Sequence, residues 1–212
     1  MLINFILHID QHIYTMAQSV GSWTYLILFL IIFVETAAVV MPFLPGDSLL
    51  FAAGALAANP EMPFNIWIFL VLFFFAAFIG DTCNFFIGHT AGYKLINHKF
   101  FSKLIKPKHI EEAEVYFEKN GSLAIILGRY IPIIRTFVPF VAGISQFSAS
   151  DFIKRAFIAA LSWSLIATGA GYLFGNIPFV KTHFSVIILG IIVVTLLPSF
   201  VAFIKSMTRA KA

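Results

Sequence analysis

Charge is scarce in this chain. Only 11% of its 212 residues are Asp, Glu, Lys or Arg, against about 25% in an average soluble domain. Apolar residues make up 60%, and the mean hydropathy is +0.93. That composition excludes a soluble globule. No long polar tract is present, which excludes a large disordered tail. One cysteine, Cys83, excludes an internal disulfide. It lies in an apolar run, so it says nothing about redox compartment. The first twenty residues hold no Lys or Arg, so the basic start of a secretory signal peptide is missing. No His and Cys spacing resembles a metal site, and no cofactor motif is present. The net charge of +4 clusters at the edges of apolar runs. It suits anionic lipid headgroups rather than nucleic acid.

What remains is an all-α integral membrane protein. A spanning helix needs roughly 20 apolar residues, and the chain has room for about four. Residues 1–20 mix Ile, Leu and Phe with His8, Asp10, Gln11 and His12, which predicts an amphipathic helix at the membrane surface. Residues 21–204 form the membrane domain. Trp23 to Met41 is the first span, with Trp23 and Tyr25 as interfacial anchors. The run Pro42 to Ser48 breaks it. Leu49 to Ala58 is too short to cross, which predicts a re-entrant hairpin over about 42–58. Ile66 to Gly88 is the second span. Residues 94–120 are the polar stretch, with Pro107 as a helix starter. Ile110, Ala113 and Phe117 recur at helical spacing there, and Asn120-Gly121 is the stop. Residues 121–146 are apolar yet hold Arg129, Pro132, Arg135, Pro139 and Gly143, which predicts a second re-entrant hairpin. Phe157 to Phe179 and Phe184 to Ile204 are the last spans, followed by a basic tail over 205–212. Gly171 with Gly175, and Gly88 with Gly92, predict close helix packing.

Charge sets the topology. Lys and Arg gather on the cytoplasmic side. The Lys94–Lys119 stretch, Lys154-Arg155 and the tail all face inward only if residues 121–146 dip in and return. The first hairpin then opens outward and the second inward. Broken helices in oppositely oriented halves are the pattern of secondary transporters.

Five charges stand in apolar runs, and intramembrane ionisable residues are functional by default. Glu35 is alone in its helix, so it is either a partner to an Arg or a proton-binding group. Asp47 follows Pro45-Gly46 and precedes Ser48, where an N-cap for the helix starting at Leu49 is the plain reading. Asp81 and Asn84 share a helix face, with interhelical hydrogen bonding the default for Asn84. His89 reads as an interfacial residue. Arg129 and Arg135 cannot deprotonate, so each needs a counter-charge, a carbonyl or water. Pro132 and Pro139 predict unwound chain around them. Either the arginines pair with Glu35, Asp47 or Asp81, or they form a fork for phosphate oxygens, which Arg suits better than Lys. Both hold if phosphate competes with the carboxylates.

Glu35 with Pro42-x-x-Pro45-Gly46-Asp47, then Gly80-Asp81-x-x-Asn84, then Gly128-Arg129-Tyr130-x-Pro132-x-x-Arg135-x-x-x-Pro139-x-x-Ala142-Gly143 resemble the DedA membrane-protein family. The resemblance covers nearly the whole chain. It implies a bacterial inner-membrane protein with two re-entrant hairpins that returns undecaprenyl phosphate, the cell-wall carrier lipid, across the membrane. Eukaryotic relatives look like phospholipid scramblases. The family's acidic pair maps onto Glu35 and Asp47, and its arginine pair onto Arg129 and Arg135. Protons are the implied coupling ion of some members. The expected partner is therefore a membrane lipid, a polyprenyl phosphate or a phospholipid, with no nucleic acid. Two other classes compete. A proton-coupled antiporter for a small cation or drug would call for an acid-only site, and the arginines argue against it. A lipid phosphatase would need a nucleophile or metal poised by a base, which the arginine segment does not offer, so no enzyme is expected.

Overall fold

The computed structural model describes residues 19–37, 46–96, 115, 119–121, 123–145, 147–183, 186–191 and 193. Among them the secondary structure is entirely helical: α1 (Trp23–Ala37), α2 (Gly46–Ala58), α3 (Ile66–Ile96), α4 (Leu123–Gly128), α5 (Pro132–Ile144), α6 (Ala149–Phe174) and α7 (Pro178–Thr182). The expected N-terminal amphipathic helix, the Pro42–Pro45 break, most of the polar 94–120 stretch, most of the last span and the basic tail lie outside the described residues.

Among the described residues, two helices are long and apolar enough to cross a membrane. They are Ile66–Gly92 within α3 and α6 itself, with only 44% and 33% of their most apolar windows buried. Their uncovered side chains include Trp67, Val71, Phe75, Leu165, Ile166 and Leu173. Large apolar surfaces of that kind are rare on soluble monomers. Neither helix keeps the bounds read from sequence. α3 continues through Gly88 to Ile96, and α6 starts eight residues before Phe157 and ends at Phe174, short of Phe179. Hydropathy marks where a helix can be buried in lipid, whereas backbone hydrogen bonding carries it on into polar sequence.

The chain divides into two compact units. One comprises residues 1–31, 45–73 and 164–212, the other 32–44 and 74–163. In the first, α2 is rich in Ala and Gly, and close approach to α6 is the consequence. A Cβ on Gly54 would collide with the Thr168 carbonyl oxygen, and one on Gly171 with the Phe51 carbonyl. A Cβ on Gly175 would strike Ala55. This is small-residue packing of membrane type. Asp47 does not cap a helix beginning at Leu49. α2 already contains Gly46, and Asp47 and Ser48 lie inside its first turn, where a carboxylate complements the N-terminal dipole. Between α2 and α3, Asn65 is the residue that caps. Its Oδ1 accepts the Trp67 N–H at 2.8 Å, and its own N–H donates to the Tyr25 hydroxyl at 2.7 Å. Tyr25 in turn packs on Phe64 and Phe69.

In the second unit, α4 and α5 form a helix–turn–helix hairpin over most of the expected 121–146 segment. α5 lies against α3 through glycines. A Cβ on Gly88 would meet the Phe140 backbone, and one on Gly143 the Phe85 carbonyl. The core there is Phe85, Ile125, Val138, Ala142, Phe152 and Ala156, with the Phe85 and Phe152 rings stacked at 4.3 Å.

Candidate functional site

The second unit gathers four of the five isolated charges. Glu35 and Thr36 come from the last turn of α1, Asp81 from α3, Arg129 from the turn after α4, and Arg135 and Thr136 from the start of α5. Trp163 of α6 completes the lining. Local sequence explains the convergence. Gly80 has no side chain where one would strike the Thr36 Cβ, at 2.7 Å from the position a Cβ would take. α1 and α3 therefore close on each other beside the two carboxylates. Thr36 turns its hydroxyl back to the Ile32 carbonyl at 2.8 Å, leaving its methyl for packing.

The arginine segment breaks at one place. α4 ends at Gly128, Ile131 is extended (φ −108°, ψ 111°), and Pro132 is in the first turn of α5, where its missing N–H costs nothing. Arg129 thus projects from the break and Arg135 from the first turn of the next helix. Pro139 does not unwind the chain as its position in the sequence suggests. It sits inside α5, which runs on to Ile144. The carbonyl of Thr136, one residue past the Arg135 carbonyl that Pro139 deprives of a partner, accepts a hydrogen bond from Asn84 Nδ2 at 3.0 Å. A neighbouring helix thus supports the proline-disturbed turn.

Each guanidinium is bonded to a different carboxylate. Arg129 Nη1 donates to Asp81 Oδ2, with both side chains about 6–7% exposed. Arg135 Nη2 donates to Glu35 Oε1, the acid being 3% exposed. The indole of Trp163 faces both cations, 4.6 Å from Arg129 Cζ and 5.9 Å from Arg135 Cζ. The cavity these groups line has a volume of about 10 Å³. That is room for one water at most, so the groups fill the site themselves.

Other residues singled out in the sequence lie elsewhere. Asp47 and Ser48 belong to α2 in the first unit. Gly46 is its first residue, and Pro45 lies outside the described residues. Gly143 serves helix packing and Asn84 supports α5. His89 is exposed and stacks on Phe85 at 5.8 Å. Trp163 is absent from the sequence reading. Its signal was the lone aromatic amid the small and aliphatic residues of Ala159–Gly171, since a buried indole needs a partner for its polar edge or its π face.

The VTT domain family matches residues 44–173. Protein DedA of Escherichia coli K12 is 46% identical over 204 residues, covering 96% of this chain and 93% of that protein. An uncharacterized membrane protein of Mycobacterium tuberculosis H37Rv is 39% identical, covering 82% of this chain and 76% of its own. Inner membrane protein YghB of Escherichia coli K12 is 33% identical, covering 76% and 73%. No solved structure matches.

Proposed function

The chain belongs to the VTT-domain (DedA) family of membrane proteins, and we propose on that footing that it carries a phosphate-bearing lipid across the bacterial inner membrane, with undecaprenyl phosphate as the lipid. The observation that carries the reading is the pair of buried arginine–carboxylate bonds at one helix break. Two guanidiniums side by side offer in-plane N–H donors in the geometry that phosphate oxygens accept. Asp81 and Glu35 occupy those donors in the structure. A phosphate monoester has the charge and the oxygens to replace them. The first turn of α5, with no side-chain cap at Ile131, adds backbone N–H groups of the kind that favour anions at a helix N-terminus.

Exchange of one anion for another couples naturally to protons. A carboxylate displaced from its arginine is left buried, where an unpaired charge is costly. Uptake of a proton by Glu35 or Asp81 therefore accompanies lipid binding, and its loss accompanies release. Asp47 is a further polar group of the transport path in this reading. A cation antiporter fits less well, because both acids at the cavity already have cationic partners. A phosphatase fits less well too, because no nucleophile there is activated by a free base. The isoprenoid tail stays in the bilayer while the headgroup crosses.

The topology belonging to this function has about four spans and two oppositely opening hairpins. In this reading the Lys94–Lys119 stretch, Lys154-Arg155 and the tail are cytoplasmic, which the distribution of basic residues supports. Reconstitution into liposomes with a fluorescent polyprenyl phosphate tests the function. Faster movement of the headgroup than in empty liposomes, accelerated by an acidic outer buffer, is the expected result. Movement at the rate of empty liposomes under both conditions overturns it.

A further inference from the structure

We propose that Trp163 is the platform that holds both arginines while they exchange one anionic partner for another, and is thus a positioning residue for phosphate-monoester recognition. The inference rests on the phosphate reading of the site. One indole, 5% exposed, lies within 6 Å of both guanidinium carbons, the range over which an aromatic face attracts a cation.

The two kinds of partner use different parts of the cation. A carboxylate or phosphate bonds the guanidinium through its edge, where all five N–H groups lie in plane. The indole presents its π face, 4.6 and 5.9 Å from the two guanidinium carbons, and leaves Arg129 Nη1 and Arg135 Nη2 to the carboxylates. It therefore does not compete with the incoming phosphate, and its attraction persists when a carboxylate lets go. In a cavity of about 10 Å³, bulk water is not at hand to stabilise a cation between anions. The π face supplies that stabilisation chiefly once the carboxylates have let go, so a weaker face costs the phosphate-bound form more than the resting one.

An independent contact fixes the distance. Tyr130, next to Arg129, donates its hydroxyl to Ser162 Oγ at 2.8 Å, and Ser162 is the residue before Trp163. The turn that carries Arg129 is thereby tied to the segment of α6 that carries the indole.

The test varies the electronics of the ring at nearly constant volume. Trp23 and Trp67, both about two-thirds exposed, are replaced by Phe, leaving Trp163 as the sole indole of the chain. Tryptophans carrying one to four fluorines, which progressively weaken the negative face, are then incorporated. Affinities for farnesyl phosphate and for inorganic phosphate are measured beside thermal stability. The expected result is a stepwise loss of affinity, reaching about tenfold, equal for both probes and with an unchanged melting temperature. Trp163→Phe should fall between the native ring and Trp163→Leu. Unchanged affinity across the fluorine series overturns the inference and leaves the phosphate reading standing. A loss confined to farnesyl phosphate also overturns it, because the indole would then be contacting the prenyl chain. So does a melting temperature that falls in step with affinity, which would mark a packing role. Absence of binding of either probe to the unfluorinated protein overturns both the inference and the phosphate reading.

Discussion

Asp81 and Arg129 are each almost fully buried, so neither is replaceable alone. Removing one member of a buried ion pair leaves the other uncompensated, at a cost of about 3–5 kcal/mol. Asp81→Asn should lower stability by that order in thermal unfolding of the purified protein. Asp81→Asn combined with Arg129→Gln should be less damaging than the sum of the two single changes, and strict additivity would mean the pair is not coupled. Lys at both arginine positions keeps the charges but loses the planar fork. Arg129→Lys with Arg135→Lys should leave a folded protein that binds a soluble phosphate analogue at least tenfold more weakly, roughly the worth of one charge-assisted hydrogen bond. Wild-type affinity in a stable double variant would remove the arginines from headgroup recognition. Glu35→Gln is a permanent mimic of the protonated acid, so it should flatten the dependence of transport on pH. An unchanged profile would assign the proton to another group, with Asp81 next in line.

The helices meet through glycine, and the glycines are not equivalent. Gly169 and Gly171 are two residues apart on α6. A Cβ at Gly169 would meet nothing within 4 Å, whereas one at Gly171 would strike the backbone of Phe51 in α2. Gly169→Ala should therefore be neutral or stabilise by up to about 1 kcal/mol through helix propensity. Gly171→Ala should destabilise by about 1–3 kcal/mol, because the backbone of α2 cannot yield as a flexible side chain would. Melting temperatures of the two variants decide this, and equal effects would mean α2 does not pack as tightly as the geometry shows. The arginine hairpin follows a related rule. Pro132 is harmless where a helix begins, and Pro139 is accommodated inside α5 beside the support from Asn84. The break falls at residues 129–131, between Gly128 and Pro132, and not at each proline.

At the scale of the molecule, distribution of charge is the argument. The proposed hairpins open to opposite sides because only then do all the basic segments lie on one side. In a variant with Cys83→Ser, single cysteines introduced at Asn59 and at Ser145 should react with an impermeant thiol reagent from opposite faces of sealed vesicles. Labelling of both from the same face would rule out the inverted arrangement.

The sequence by itself determined the helical membrane class, because hydropathy is a sum over local residues and needs no partner. It also marked Glu35, Asp81, Arg129 and Arg135, since a charge in an apolar run is conspicuous wherever the chain folds. The helix break at the arginines was legible from Pro132, whereas Pro139, read the same way, lies inside α5. Only the tertiary structure decided that Arg129 bonds Asp81, 48 residues away, and that Arg135 bonds Glu35, 100 residues away. Pairing depends on which helix faces converge, and convergence is set by where Gly80, Gly88 and Gly143 let backbones touch. The role of Trp163 was hidden for that reason. An indole in an apolar helix looks like any other bulky side chain until two guanidiniums are brought to its face.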